Sequence, residues 1–331
     1  THSFECNIPF DVVFDEEVEW VKLKETKSED GQFKMVFELQ PNTGEFFNRT
    51  KLRLENEVLG LSFPLSLSQM YKTYDGHTVI WKKPTYNDPF ASVPNFPRIT
   101  FNFILIGDGF TKEEIESGVY DLYCQEAMEG MESLEPFKTY SERFGFILLH
   151  AESAESGCTD YNATYGGPKV VDTRFKCSYD EFGTGMNCDY TAIQEFVKTS
   201  IEGAGLDYIP TQDVVIVMAN GKRYGGVANL TKSGEGVAIC PVSEEPFPNN
   251  FVQILRHEAG GHAFGKLADE YSFGGPIDAS TASYLKSWQE AGMYLNVSMS
   301  STEFPKPWQE LKDRGKISDV YVGGFSCSGG V

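Results

Sequence analysis

Three apolar runs restrict what this chain can fold into: Ile99 to Ile106, Phe144 to His150 and Val214 to Met218. A strand that is apolar on both faces has to be covered on both faces. Helical signals lie between the runs. Thr111 with Glu114 three residues on makes a capping box, which predicts a helix through about Met131. Asp189 caps a second, reaching about Gly203, with Ile193, Phe196, Val197 and Ile201 along one side. Buried strands alternating with amphipathic helices predict a domain of the α/β (α+β) class.

The first 92 residues read differently. Asp11 to Phe14, Val18 to Leu23, Phe33 to Leu39 and Lys51 to Phe63 are β-rich, separated by turn signals such as Glu29-Asp30-Gly31 and Asn42-Thr43-Gly44. They predict a small antiparallel β-sandwich with a supporting role. Prolines at 84, 89, 94 and 97 mark a connector, so the expected domains are 1–92 and 93–331. Asp108 in Gly107-Asp108-Gly109 reads as a turn residue, and His150, at a strand end, as a hydrogen-bonded structural histidine. Ala151 to Cys188 is rich in Gly, Ser and Asp and reads as a long loop framing a cleft.

Charge and cysteine usage narrow the class. A net charge of −20 argues against a nucleic-acid partner and against anionic membrane surfaces. No apolar run approaches the roughly 20 residues of a transmembrane helix. Of seven cysteines, Cys158, Cys177 and Cys188 fall in one loop-rich segment, which predicts at least one disulfide there. That points to an extracytoplasmic setting: secreted, cell-surface or periplasmic. The start at Thr1, without Met, suggests a trimmed or mature form.

The chemistry concentrates in Arg256-His257-Glu258-Ala259-Gly260-Gly261-His262, followed by Gly265, Asp269 and Glu270. In the zinc-peptidase motif H-E-x-x-H, the histidines share a helix face at i and i+4 and the glutamate is the general base. Here the spacing is i and i+5. In a regular α-helix that places the rings roughly 140° apart. A π-bulge restores a common face, and we expect one across Ala259 to Gly261, where two glycines tolerate unusual backbone geometry. Asn249-Asn250 can cap the helix start, and Phe251, Ile254, Leu255 and Ala259 give it an apolar face. Gly265 can end it, after which the chain turns back to offer Asp269 or Glu270 as a third ligand.

The stretch resembles the IgA peptidase family of zinc metallopeptidases in His257, Glu258, Gly261, His262, Gly265, Leu267, Asp269, Glu270 and Tyr271. One extra glycine departs from the family's commoner signature. Residues 104–110, 153–157 and Tyr224-Gly225-Gly226 also look similar, so the resemblance runs from about residue 98 to the end. It implies a metzincin-like endopeptidase acting on protein or peptide substrates. His257, His262 and Asp269 would hold Zn²⁺, Glu258 would be the general base, and Glu270 would orient a ligand histidine. Residues 224–240 would supply a substrate-pairing strand, and Tyr271 is a candidate for oxyanion stabilisation or for packing. Neither Met293 nor Met299 sits in a recognisable methionine turn, and the Gly-rich end suggests a fragment stopping short of the family's usual terminus. The competing reading is a non-catalytic glycan- or protein-binding surface protein on a degenerate scaffold.

Overall fold

The computed structural model describes residues 2–5, 8–29, 32–40, 48–69, 78–90, 92–93, 97–162, 167–270, 277–300 and 304–317. Contacts divide the chain into two compact units: Thr1–Asp75 with Val79–Trp81, and Gly76–Thr78 with Lys82–Val331.

The first unit holds β1 (His2–Glu5), β2 (Asp11–Phe14), β3 (Val21–Glu29), β4 (Gln32–Leu39), β5 (Asn48–Asn56) and β6 (Leu61–Gln69). They form two antiparallel three-stranded sheets, β1-β4-β3 and β2-β5-β6. Side chains two apart on a strand share a face. Phe33 and Met35 from β4 therefore meet Leu52 and Leu54 from β5, with Phe10, in one core. The run Lys51 to Phe63, expected as one strand, is a hairpin. The chain turns between Asn56 and Leu61, which pair with each other. A short strand, β7 (Thr78–Lys82), follows.

The second unit contains β8 (Phe101–Asp108), β9 (Phe144–Leu149), β10 (Thr159–Asp160), β11 (Ser178–Tyr179), β12 (Met186–Asn187), β13 (Val214–Ala219), β14 (Val227–Leu230) and β15 (Gly236–Pro241). Five strands of its main sheet lie in the order β14-β15-β13-β8-β9. β15, β13, β8 and β9 are parallel, and β14 runs antiparallel to β15. The three apolar runs are thus neighbouring central strands, and β9 and β13 are buried at every residue. Alternation splits each strand between two layers. Ile104, Ile106, Val215 and Val217 pack with Ile193, Val197 and Ile201 of α3 (Tyr190–Gly203, numbered after the two helices below). Phe103 instead stacks on Phe144 and Phe146 and meets Phe137 edge-on at 5.5 Å. Each such large side chain contributes about 1.5–3 kcal/mol on full burial.

The helix expected through Met131 is two: α1 (Lys112–Glu116), with its Thr111–Glu114 capping box, and α2 (Val119–Glu132). Gly118 separates them at φ +85°, in the left-handed region that stops an α-helix. Beyond α3 come α4 (Phe251–Leu255), a π-helix (Arg256–Phe264), α5 (Ala279–Glu290) and α6 (Lys306–Asp313). A short helical signal in the sequence near Ser283 to Met293 falls largely on α5. The sequence reading did not include α6.

The loop from 151 to 188 is more structured than expected. β10, β11 and β12 form a small sheet within it, and Cys177 and Cys188 are joined by a disulfide. Asp108 also departs from its reading as a turn residue. It ends β8, is 1% exposed, and accepts from Phe175 N–H (2.7 Å), Cys177 N–H (2.9 Å) and the Thr173 hydroxyl (2.7 Å). Buried N–H groups need acceptors, so Asp108 pins this loop to the sheet. Burial pushes its carboxyl up from the usual value against those three bonds. His150 is buried and bonded to Asp121 at 3.1 Å, a structural role. Cys124, Cys158 and Cys240 are buried thiols, while Cys6 and Cys327 lie outside the described residues. Among the described residues, no helix is long and apolar enough to cross a membrane.

Candidate metal centre

Asn250 opens the site helix by accepting from Gln253 N–H at 3.1 Å. Phe251, Ile254 and Leu255 bury one side of α4. The chain then widens into a π-helix over nine residues, more than the single turn at 259–261 read from the sequence. At its end Gly265 N–H bonds to the Gly260 carbonyl, five residues back, at 3.0 Å. The wider turn does for His257 and His262 what an α-helix cannot. Their ring centroids are 4.5 Å apart and their Nε2 atoms 3.1 Å apart.

The glycines are not what makes this geometry possible. Neither Gly260 nor Gly261 has a positive φ. A Cβ at Gly260 would come no closer than 3.4 Å to its neighbours, and one at Gly261 no closer than 3.7 Å. The i,i+5 spacing of the histidines, rather than the residue type between them, sets the widened turn.

Gly265 ends the helix, and Lys266 reverses the chain at φ +53°. Asp269 Oδ1 then arrives 3.1 Å from His262 Nε2 and 3.3 Å from His257 Nε2. Glu270 points elsewhere: its Oε1 accepts from Asn296 Nδ2 at 2.8 Å. The group bonded to His262 Nδ1 is a backbone carbonyl, Leu267 O, at 2.7 Å. Tyr271 lies outside the described residues.

His257, Glu258 and His262 each present a donor atom within 4.8 Å of the other two, and Asp269 Oδ1 lies nearer than this to both ring nitrogens. Glu258 is 9% exposed. The backbone N–H of Ala228, on β14, lies near enough to favour its charged form slightly. Glu258 also packs against Gly226, where a Cβ would fall 2.9 Å from Glu258 Oε1.

The donor set fits a metal. With Nδ1–H of His262 given to Leu267, its Nε2 presents a lone pair. That lone pair faces the carboxylate oxygen of Asp269, another acceptor. Two acceptors 3.1 Å apart need a proton or a cation between them. Donor atoms around one tetrahedral zinc, each at about 2.0–2.1 Å, are about 3.3 Å apart. The three contacts here measure 3.1, 3.1 and 3.3 Å.

The charges respond to this crowding. Burial pushes Glu258 above the usual glutamate value, and the charge of Asp269 adds to it, against opposing attraction from both histidines. Burial would raise Asp269 too, but hydrogen bonds from His257 and His262 and their charge hold it far below the usual carboxylate range. For His262, burial acts downward and is outweighed by the Asp269 and Leu267 bonds, so its value rises. Tyr224 went unnoticed in the sequence as an individual site residue. Burial raises its phenol, and so do the charges of Glu258, Asp269 and Glu245, which places it within electrostatic reach of the centre.

The sequence model of the IgA Peptidase M64 family matches residues 91–316. The chain belongs to the IgA peptidase M64 family. No curated protein matches it. The match spans β8 through α6, and hence every group of the metal centre. The peptidase assignment brings with it proteolytic hydrolysis, protein or peptide substrates and a metal cofactor for this M64 chain.

Proposed function

We propose that this M64 peptidase is a zinc-dependent endopeptidase, with His257, His262 and Asp269 as protein ligands and Glu258 as general base. The observation that carries the reading is the convergence of two Nε2 atoms and one carboxylate oxygen, 3.1–3.3 Å apart, beside a buried carboxylate that is not part of that triangle. Bound there, zinc supplies Lewis acidity, which lowers the pKa of water to about 7 and polarises a carbonyl. Glu258 takes a proton from water and returns it to the leaving amine. Its seat against Gly226 holds the carboxylate in place for both transfers. Leu267 fixes the tautomer of His262. β14, antiparallel at the end of the five-strand order and packed against the helix that carries Glu258, is suited to grip an extended peptide by main-chain hydrogen bonds.

We read the catalytic region, 93–331, as metzincin-like and 1–92 as a β-sandwich. The two antiparallel sheets around Phe33 and Leu52 support the second part. The Cys177–Cys188 disulfide supports an extracytoplasmic setting, secreted or surface-held. A degenerate, non-catalytic scaffold is disfavoured by the number of independent contacts that keep the four groups together.

Glu258→Gln tests the reading. It is near-isosteric, so zinc content should stay at one per chain while turnover of denatured protein falls by orders of magnitude, about 10²-fold or more. Wild-type turnover in the variant would remove Glu258 from the mechanism.

A further inference from the structure

Asp269 sits on backbone that belongs to no helix or strand: residues 266–270 are irregular. Something outside that segment must set the direction of its side chain. Asn296 makes the contacts that can. Its Oδ1 accepts from Ala268 N–H at 2.8 Å, and its Nδ2 donates to the Ala268 carbonyl at 2.9 Å. One side-chain amide thus pairs with both polar groups of the residue before Asp269, as a neighbouring strand would. The same Nδ2 donates to Glu270 Oε1, on the residue after it, at 2.8 Å.

Asn296 is itself held. Gln289, on α5, donates to the Tyr294 and Val297 carbonyls at 3.3 and 2.8 Å, bracing the turn that carries Asn296. Tyr294 N–H bonds to Lys266 O at 2.8 Å, and Trp288 stacks on Tyr294 with centroids 5.2 Å apart. A chain of contacts runs from α5 through Asn296 to both neighbours of Asp269.

Two adjacent carboxylates, Asp269 and Glu270, compete for one coordination position, and Asn296 occupies one of them. We propose that Asn296 is a positioning residue that commits Asp269, rather than Glu270, to the metal. This rests on the reading of His257, His262 and Asp269 as metal ligands. Partners that orient a ligand are worth about 10–100-fold in metal affinity. Asn296→Asp keeps the acceptor for Ala268 N–H, loses both donated bonds and sets a negative charge against Glu270. In Asn296→Asp with Glu270→Gln, the glutamine amide can donate to the new carboxylate, restoring that one link with its polarity reversed.

The test is zinc affinity of the purified full chain, measured by competition with a chelating indicator. Circular dichroism of the metal-free forms checks that each variant is folded. Wild type should bind one zinc. Asn296→Ala and Asn296→Asp should bind about 10–100-fold more weakly, and the double variant should recover part of the loss. A role in fold stability alone would lower the melting temperature of metal-free protein without this charge-dependent recovery. Should Asn296→Ala fail to fold, Asn296→Asp carries the test. Wild-type affinity in both single variants, or a double variant no better than Asn296→Asp, overturns the inference and leaves the metal centre standing. A wild-type chain that binds no zinc overturns the metal centre itself.

Discussion

Replacing Gly226 by alanine should separate catalysis from metal binding. Gly226 sits at φ +148°, a conformation L side chains rarely adopt. An added Cβ would lie 2.9 Å from Glu258 Oε1, 3.0 Å from Glu258 Cγ and 3.1 Å from Ile254 Cγ2. The carboxylate is the free end of its side chain, so it yields first. Moving it by about 1 Å costs on the order of 10²-fold in rate. The backbone strain costs about 1–3 kcal/mol. At about 2–4 °C per kcal/mol for a unit of this size, melting should drop by about 2–12 °C. The three atoms nearest the new Cβ belong to Glu258 and Ile254 and none to the histidines or Asp269, so zinc stoichiometry should not change. The assay pairs zinc content with initial rates on fluorescently labelled denatured protein below saturation. A Gly226→Ala enzyme with wild-type kcat/KM would refute the argument that this glycine seats the base. Loss of zinc along with activity would refute the claim that Gly226 acts on Glu258 alone.

Gly260→Ala and Gly261→Ala should keep zinc and at least a tenth of wild-type activity, since the π-helix needs neither a positive φ nor open space there; loss of metal in either would show that glycine is required. Asp108→Asn keeps one acceptor oxygen and sets its NH₂ against Phe175 N–H or Cys177 N–H, so urea denaturation should show a loss of about 1–3 kcal/mol. Burial raises the Asp108 pKa above 3.8, so the folded state binds the extra proton. Its contribution is then full below 3.8 and declines as pH rises through the raised value. The stability advantage of wild type over Asp108→Asn should accordingly shrink as pH rises from below 3.8 through that value. An advantage that grows over that range would contradict the burial argument.

Much of the site was legible because local chemistry dictated it. Asn250 and Asp189 cap helices through their own side chains, and each caps the expected helix. The i,i+5 spacing of His257 and His262 demanded a widened turn, since no α-helix brings those positions to one face. The width of that turn was not legible: hydrogen-bond register over nine residues depends on what packs around it. The roles of Asn296 and of the Leu267 carbonyl were missed. The Leu267 contact is made by backbone and leaves no mark on residue type, and Asn296 lies 28 residues from the Ala268 it pairs with. Asp108 was misread because a Gly-Asp-Gly turn and a buried carboxylate look alike until the partners at 173–177 are in place. The hairpin inside Lys51 to Phe63 was hidden by apolar residues, Val58 and Leu59, which lie exposed at its turn.

The central claim is that two histidines and one aspartate hold zinc. X-ray absorption at the zinc edge of the purified, zinc-loaded chain tests it most directly, with metal analysis of the same sample. The account predicts one zinc per chain, with two imidazole nitrogens at about 2.0–2.1 Å, carboxylate oxygen at about 2.0–2.2 Å and no sulfur ligand. It also predicts that Asp269→Ala removes the carboxylate contribution while Glu270→Ala retains it. A chain that takes up no zinc, a sulfur-ligated metal, or a carboxylate signal that survives Asp269→Ala unchanged would contradict it.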